Sequence, residues 1–190
     1  VWAKNPTWTN QQVFYHICHT ADDVNTAGYD IYTGWGRVNA YRAVSETISA
    51  SQNLSSAKTM AANTNIMLAS KVLSTSSTDI ASRLYIQDSD RSAGICLYFS
   101  SGSVPAGFSR GDVVDILGIT GSINGELAII DPIITKINSG TAPKPLGMMN
   151  RVTGGGPFGL QGAVVNRYSI PQTLANGTNN IGLLIKAFGK

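Results

Sequence analysis

The sequence predicts a mainly β protein with an α-helical N-terminal segment, a five-stranded β-barrel and a C-terminal extension of irregular structure and strands. Three observations carry that prediction. The hydrophobic period is helical over the first fifty residues and alternates β-fashion from about residue 65. An Asn124-Gly125 pair between two apolar runs is a strong short hairpin signal. Charged residues make up only 13% of the 190, and Gly, Ser, Thr and Asn fill their place, which suits a loop-rich β protein.

Composition also narrows the function. A net charge of +3 without any run of Lys and Arg gives no footprint for nucleic acid. No apolar stretch reaches the length of a membrane span, so no membrane partner is expected. Two cysteines, Cys18 and Cys96, fall in different predicted elements, and whether they pair is a matter of geometry that counting leaves open.

The first helix is predicted over residues 10–19. Thr9 and Gln12 form a capping box, with Trp8 and Val13 as a hydrophobic staple around it. Val13, Phe14, Ile17, Cys18 and Ala21 supply its apolar face. His16 and His19 have the spacing of a metal pair, but further ligands at suitable spacing are wanting. They are read as polar residues on an outer face or beside a neighbouring helix. A Gly28-Tyr29 turn and a Gly34-Trp35-Gly36 turn lead to a second helix from Ala40, with Asn39 as its N-cap and Tyr41, Val44 and Ile48 as its apolar stripe. Two helices and tight turns hold too little apolar surface to offset the ordering entropy of fifty residues.

The phrases NPTWTNQQV, HTADDV and GYDIYTGWGRVNAYRAV follow one another in an order that resembles the C-terminal end of subtilisin-like serine protease domains. That family closes on Gly-aromatic-Gly-x-Val-Asn/Asp-Ala, matched by Gly34, Trp35, Gly36, Val38, Asn39 and Ala40. The resemblance implies a secreted bacterial endopeptidase as parent, acting on polypeptide substrates. Its Asp-x-Gly, His-Gly-Thr and Gly-Thr-Ser-Met-Ala motifs are absent here and would lie upstream of Val1. No catalytic residue, metal site or cofactor is therefore assigned within the chain, although the resemblance allows calcium in the parent. The upstream protease domain is the expected partner, and Trp35 is expected to be exposed or poorly supported without it.

Residues 1–50 are thus expected as the protease remnant, 51–57 as a small-residue linker, 58–139 as the barrel and 140–190 as the extension. Strands are predicted over residues 65–73, 83–87, 93–99, 112–119 and 126–130, with Ile66, Leu68 and Val72 pointing inward in the first. Gly118 and Gly121 mark the bend needed for closure. The phrases LYIQDSDRSAGICLYF and GDVVDILGITGSINGELAII resemble the OB-like repeats of secreted hydrolases and nucleases. Such barrels bind through stacked aromatics and a basic groove, so Tyr85, Tyr98, Arg83 and Arg91 are the candidate ligand contacts, with Phe99 and Arg110 considered beside them. Because neighbours alternate, either Tyr98 or Phe99 must point inward.

Other matches are set aside. Gly107-Phe108-Ser109-Arg110-Gly111 has the spacing of a nucleophile elbow but no strand-to-helix frame. Gly154 to Gly159 has dinucleotide-loop spacing, interrupted by Pro157. Asp88 and Asp90 are read as capping their own turn rather than holding calcium. A strand is expected over 163–168, and the apolar ending NIGLLIKAFGK is expected to open a second OB-like copy. Two rival readings stand: a binding module for polysaccharide, nucleic acid or cell-wall material, and an inert spacer.

Overall fold

The computed structural model describes residues 1–8, 10–25, 31–46, 49–51, 53–166, 173–174 and 177–189. The predicted roles of Thr9, Gly28, Tyr29, Ile48 and Tyr168 lie outside them, as does the side chain of Gln12. The chain separates into two compact units, Val1–Ser49 and Ala50–Lys190.

In the first unit, helix α1 (Asn10–His19) has the predicted bounds and α2 (Ala40–Ser45) begins where predicted. The side chain of Asn39 accepts the Arg42 N–H at 2.9 Å, the expected N-cap. Burial departs from expectation. Phe14, Tyr41 and Val44 are exposed, while His16, Thr20 and Ala43 are buried. The reason is that α1 and α2 meet through a polar contact, His16 Nε2 lying 2.8 Å from the Ala43 carbonyl. Helix α2 also ends at Ser45, too short to sustain the expected stripe. Trp8, the expected staple, sits edge-on to His16 with ring centroids 5.1 Å apart.

The second unit begins with a short strand β1 (Ser49–Ser51) and a single helical turn α3 (Leu54–Ala57). The expected linker is therefore structured. Asn53 caps α3 by accepting the Ser56 N–H, and Leu54 and Ala57 are buried in the barrel core. A run of small polar residues concealed the one leucine that anchors it.

Strands β2 (Asn65–Leu73), β3 (Arg83–Gln87), β4 (Gly94–Tyr98), β5 (Val113–Ile123) and β6 (Glu126–Asn138) form the closed five-stranded barrel. Their order is β2-β3-β4-β6-β5, and β5 returns to pair with β2. All neighbours are antiparallel except β4 and β6. This is the OB-like Greek-key barrel, in which closure removes the free sheet edges. Its core holds Ile66, Leu68, Leu73, Leu84, Ile86, Ile95, Leu97, Phe99, Val114, Ile116 and Ile129.

Two bulges explain where strand expectations fail. In β2, Ala69 and Ser70 together oppose Asp115, and Ser70 adopts φ 54°. One extra residue reverses the alternation, so Lys71 and Leu73 are buried and Val72 is only half-buried. In β6, Asp131 (φ 44°) and Pro132 together oppose Gly118, one of the two glycines expected at the bend. The bulge accommodates the proline, which has no N–H for the ladder. The strand thus runs on to Asn138 rather than stopping at Ile130. The β5–β6 turn is a two-residue hairpin, with Asn124 at φ 54° and Gly125 at φ 85°, as a type I′ turn requires.

The extension contains β7 (Leu146–Met149), a 3-10 turn (Asn150–Val152), β8 (Val165–Asn166), β9 (Thr173–Leu174) and β10 (Ile185–Phe188). Strand β8 pairs antiparallel with β9, and β10 pairs parallel with β7.

Candidate ligand face of the barrel

The β3–β4 register sets Arg83 opposite Tyr98, Tyr85 opposite Cys96 and Gln87 opposite Gly94. Leu84, Ile86, Ile95 and Leu97 alternate with them and fill the core, so the first set faces outward. Phe99 packs in the core and Tyr98 is half-buried, resolving which of the two points in.

Three of the four predicted contacts converge, around a residue the sequence did not single out. Glu126, at the start of β6, accepts from Arg83 Nη1 at 2.6 Å and from the Tyr85 hydroxyl at 3.1 Å, both on Oε2. The Arg83 guanidinium also lies 5.9 Å from the Tyr98 ring centroid, a cation–π distance. Burial pushes the Tyr85 phenol up to about 12, and pushes the Cys96 thiol to about 12 as well, with Glu126 adding to the second effect. Both groups are therefore neutral in ordinary buffers. Arg91 is elsewhere: it is exposed in the β3–β4 turn, at φ 63°, with its N–H donated to the Asp88 carbonyl. Arg110 pairs with Asp79 at 2.9 Å.

The outward surface is largely covered by the chain's own extension. Gln87, Gly94 and Cys96 face outward yet are buried. Gly182 lies flat on Gly94, so close that a Cβ on either glycine would overlap the other's backbone. The Leu184 N–H is donated to Gln87 Oε1 at 3.3 Å. Lys58, itself buried, donates Nζ to Asn179 Oδ1 at 3.1 Å and to the Ile181 carbonyl at 2.8 Å. With no carboxylate of the described residues in contact, desolvation pushes the Lys58 ammonium down to about 8, opposed by the field of Glu126. Asn180 braces the segment by accepting the Gly154 N–H at 2.6 Å and donating to the Val152 carbonyl at 2.7 Å.

A second tie lies beside the hairpin. The Gln161 carboxamide accepts the Leu127 N–H at 2.8 Å and donates to the Gly125 carbonyl at 3.1 Å. It occupies the place a peptide group would take ahead of the β4–β6 ladder, which begins at Cys96 and Ala128.

Between barrel and extension a cavity of about 300 Å³ is lined by Ser74, Thr75, Tyr85 and Glu126 on one side and by Gly154 and residues 180–185 on the other. A separate hollow of about 290 Å³ lies among Ala57, Met60, Ile95, Gly121, Leu127 and Leu160.

Arg83, Tyr85 and Tyr98 were reached through the OB-like resemblance, which directs attention to aromatic and basic residues on the strands. Glu126 and Lys58 carry no local signal, because their roles depend on partners far along the chain. Asn179-Asn180 ahead of an apolar run was the one available hint of a built turn.

The other motifs have structural roles. Ser109 lies in a turn and donates its N–H to Asp112 at 2.8 Å. Gly155, in the glycine-rich loop, packs on the Thr178 carbonyl. Asp88 binds Lys71 Nζ at 2.7 Å and the Leu54 N–H at 2.8 Å, while Asp90 accepts the Ser92 N–H. Both cysteines are free thiols. His16 Nδ1 and His19 Nε2 are buried without a hydrogen-bond partner among the described residues, and His19 stacks on the half-buried Trp35 at 6.1 Å between centroids. Among the described residues no three His, Cys, Asp or Glu side chains are grouped to hold a metal ion. No family model, curated protein or solved structure matches this chain, so its function is argued from its own residues.

Proposed function

We propose that this chain is the closing segment of a secreted, bacterial subtilisin-like serine endopeptidase, followed by a non-catalytic OB-like accessory barrel. The observation supporting this most directly is that the two most family-like phrases of the first unit are knitted together through Asp22. Asp22 and Arg37 exchange backbone hydrogen bonds of 2.8 Å each, and the Asp22 carboxylate accepts from Asn39 Nδ2 at 3.0 Å. Gly36 (φ 97°) packs so tightly on the Asp22 backbone that a side chain there would collide with it. The pairing of these two phrases in space supports reading them as one closing element.

In this reading peptide hydrolysis belongs to residues outside 1–190, and the barrel positions or carries the protease. A fluorophosphonate probe tests it. The full product of the gene is expected to be labelled at a serine outside this segment and to degrade an unfolded protein, while the 190-residue chain does neither. An unlabelled, inactive full product would reject the proposal.

The binding-module reading is favoured by one observation, the Arg83–Tyr85–Tyr98–Glu126 cluster beside a cavity of about 300 Å³. Retention of the chain on cell-wall polysaccharide, lost on Tyr98→Ala, would support it. Equal retention of both proteins would argue against it.

A further inference from the structure

We propose that the outer β3–β4 face of the barrel is a docking surface for an extended polypeptide, and that residues 179–185 are its resident occupant, exchangeable for a partner segment. This stands independently of the protease reading.

The contacts themselves point to polypeptide. The face engages the main chain of its occupant: Gln87 Oε1 takes the Leu184 N–H, and Lys58 Nζ takes the Ile181 carbonyl. Gly94 accepts only a glycine at the crossing point, because a Cβ on residue 182 would meet the Gly94 carbonyl and the Ile95 nitrogen. Lys58 reads one side chain, Asn179. The chemistry selected is an asparagine followed by a glycine set among branched apolar residues, here Ile181, Leu183, Leu184 and Ile185.

The attachment is also of the kind that can exchange. The occupant forms no β-ladder with β3 or β4; the ladder at its end, β10, pairs with β7 of the extension itself. Its side chains do not enter the buried core cluster, which β2–β6 and α3 complete. The barrel can therefore keep its core when the segment leaves. Among the described residues no carboxylate contacts the buried Lys58 ammonium, so docking carries a desolvation cost that weakens the hold. An occupied face with a complete barrel beneath it is how a surface kept for another chain would look in the closed state.

Cys96 is a built-in reporter, because its thiol lies buried on this face. The test uses the whole chain carrying Cys18→Ser, so that Cys96 is the single thiol. Asn179→Ala removes the hydrogen bond from the Lys58 ammonium and the one that Asn179 Nδ2 donates to the Gly156 carbonyl, and is expected to speed alkylation of Cys96 by about tenfold or more. A molar excess of a synthetic peptide of residues 178–188 is expected to restore slow alkylation. The same peptide with Gly182→Val should leave it fast. Gly94→Ala should open the face in a way that neither peptide reverses.

Unchanged alkylation in Asn179→Ala, or fast alkylation insensitive to the peptide, would overturn the proposal. A second measurement needs no variant. In the unaltered chain, the Gly156 and Leu184 amides should exchange hydrogen well before the barrel amides of Leu73, Ser74 and Phe99. A single common exchange rate would show that the segment is fixed packing and refute exchangeability.

Discussion

Lys71 and Asp88 form an ion pair with Nζ 2.7 Å from Oδ1, and their side chains are only 5% and 9% exposed. The second carboxylate oxygen caps α3 through the Leu54 N–H, so one aspartate ties β2, the β3–β4 turn and α3 together. Removing either partner deprives the other of its contacting counter-ion in a dry site. Lys71→Met or Asp88→Asn is expected to cost about 3–5 kcal/mol, and the double variant less than the sum. Urea unfolding followed by circular dichroism, analysed as a double-mutant cycle, measures this. Additive losses would show that the two residues act separately.

The Lys58 ammonium gives the second unit a distinctive pH dependence. Its value near 8 in the folded chain lies below the ordinary 10.5, so the unfolded chain binds more protons between those limits. The contribution of this group to stability therefore rises with pH from 8 to 10.5, by on the order of 3 kcal/mol. A neutral amine keeps two N–H groups, enough for both Asn179 and Ile181. Cys96, raised from 9.0 to about 12, opposes this above pH 9, and Tyr85, raised to about 12, opposes it above pH 10, because the unfolded thiol and phenol ionise there. Stability measured by urea at pH 7.5 and 9.5 should increase in the wild type and not in Lys58→Met.

His19 makes the first unit sensitive to acid. Burial, with repulsion from His16, pushes its imidazole down to about 4 from 6.5. The unfolded chain binds the extra proton between those values, so stability present above pH 6.5 is lost as pH falls toward 4. All three tryptophans, Trp2, Trp8 and Trp35, lie within the first unit. Tryptophan fluorescence consequently follows that unit alone. An acid transition in this window that is weakened in His19→Gln is the expected result; a transition unaffected by the change would contradict it.

Gln161 should matter more than a loop glutamine usually does. Replacement by leucine leaves the Leu127 N–H and the Gly125 carbonyl without their partner at the start of β6. The expected loss is about 1–3 kcal/mol, with faster exchange of the Leu127 amide. Wild-type exchange at Leu127 in the variant would show that water replaces the carboxamide without cost.

The strands were legible where the chemistry is local. Residues 65–73 and 83–87 carry alternation and β-branched side chains, and Asn124-Gly125 names its own turn. Sequence failed where one residue changes the count. Ser70 reverses the facing of Lys71 to Leu73, and Asp131 lets β6 continue past Pro132. In the first unit, polar pairing between His16 and Ala43 outweighed the apolar period that had favoured Phe14 and Tyr41. Half of the candidate site was readable: Arg83, Tyr85 and Tyr98 are the aromatic and basic strand residues to which the OB-like resemblance points, whereas Glu126 and the covering segment depend on contacts between distant parts of the chain.

The tie from Lys58 to Ile181 spans 123 residues, whereas β5 and β6 are joined by a two-residue turn. Synthesis proceeds from the N-terminus, so every barrel strand is made before the segment that covers β3 and β4. At ordinary elongation rates the cover emerges on the order of seconds later, ample time for a small barrel to close. The nascent chain thus passes through a stage in which Tyr85, Gln87 and Cys96 are open to the surroundings. Birth order alone gives any competing strand a first opportunity at that surface.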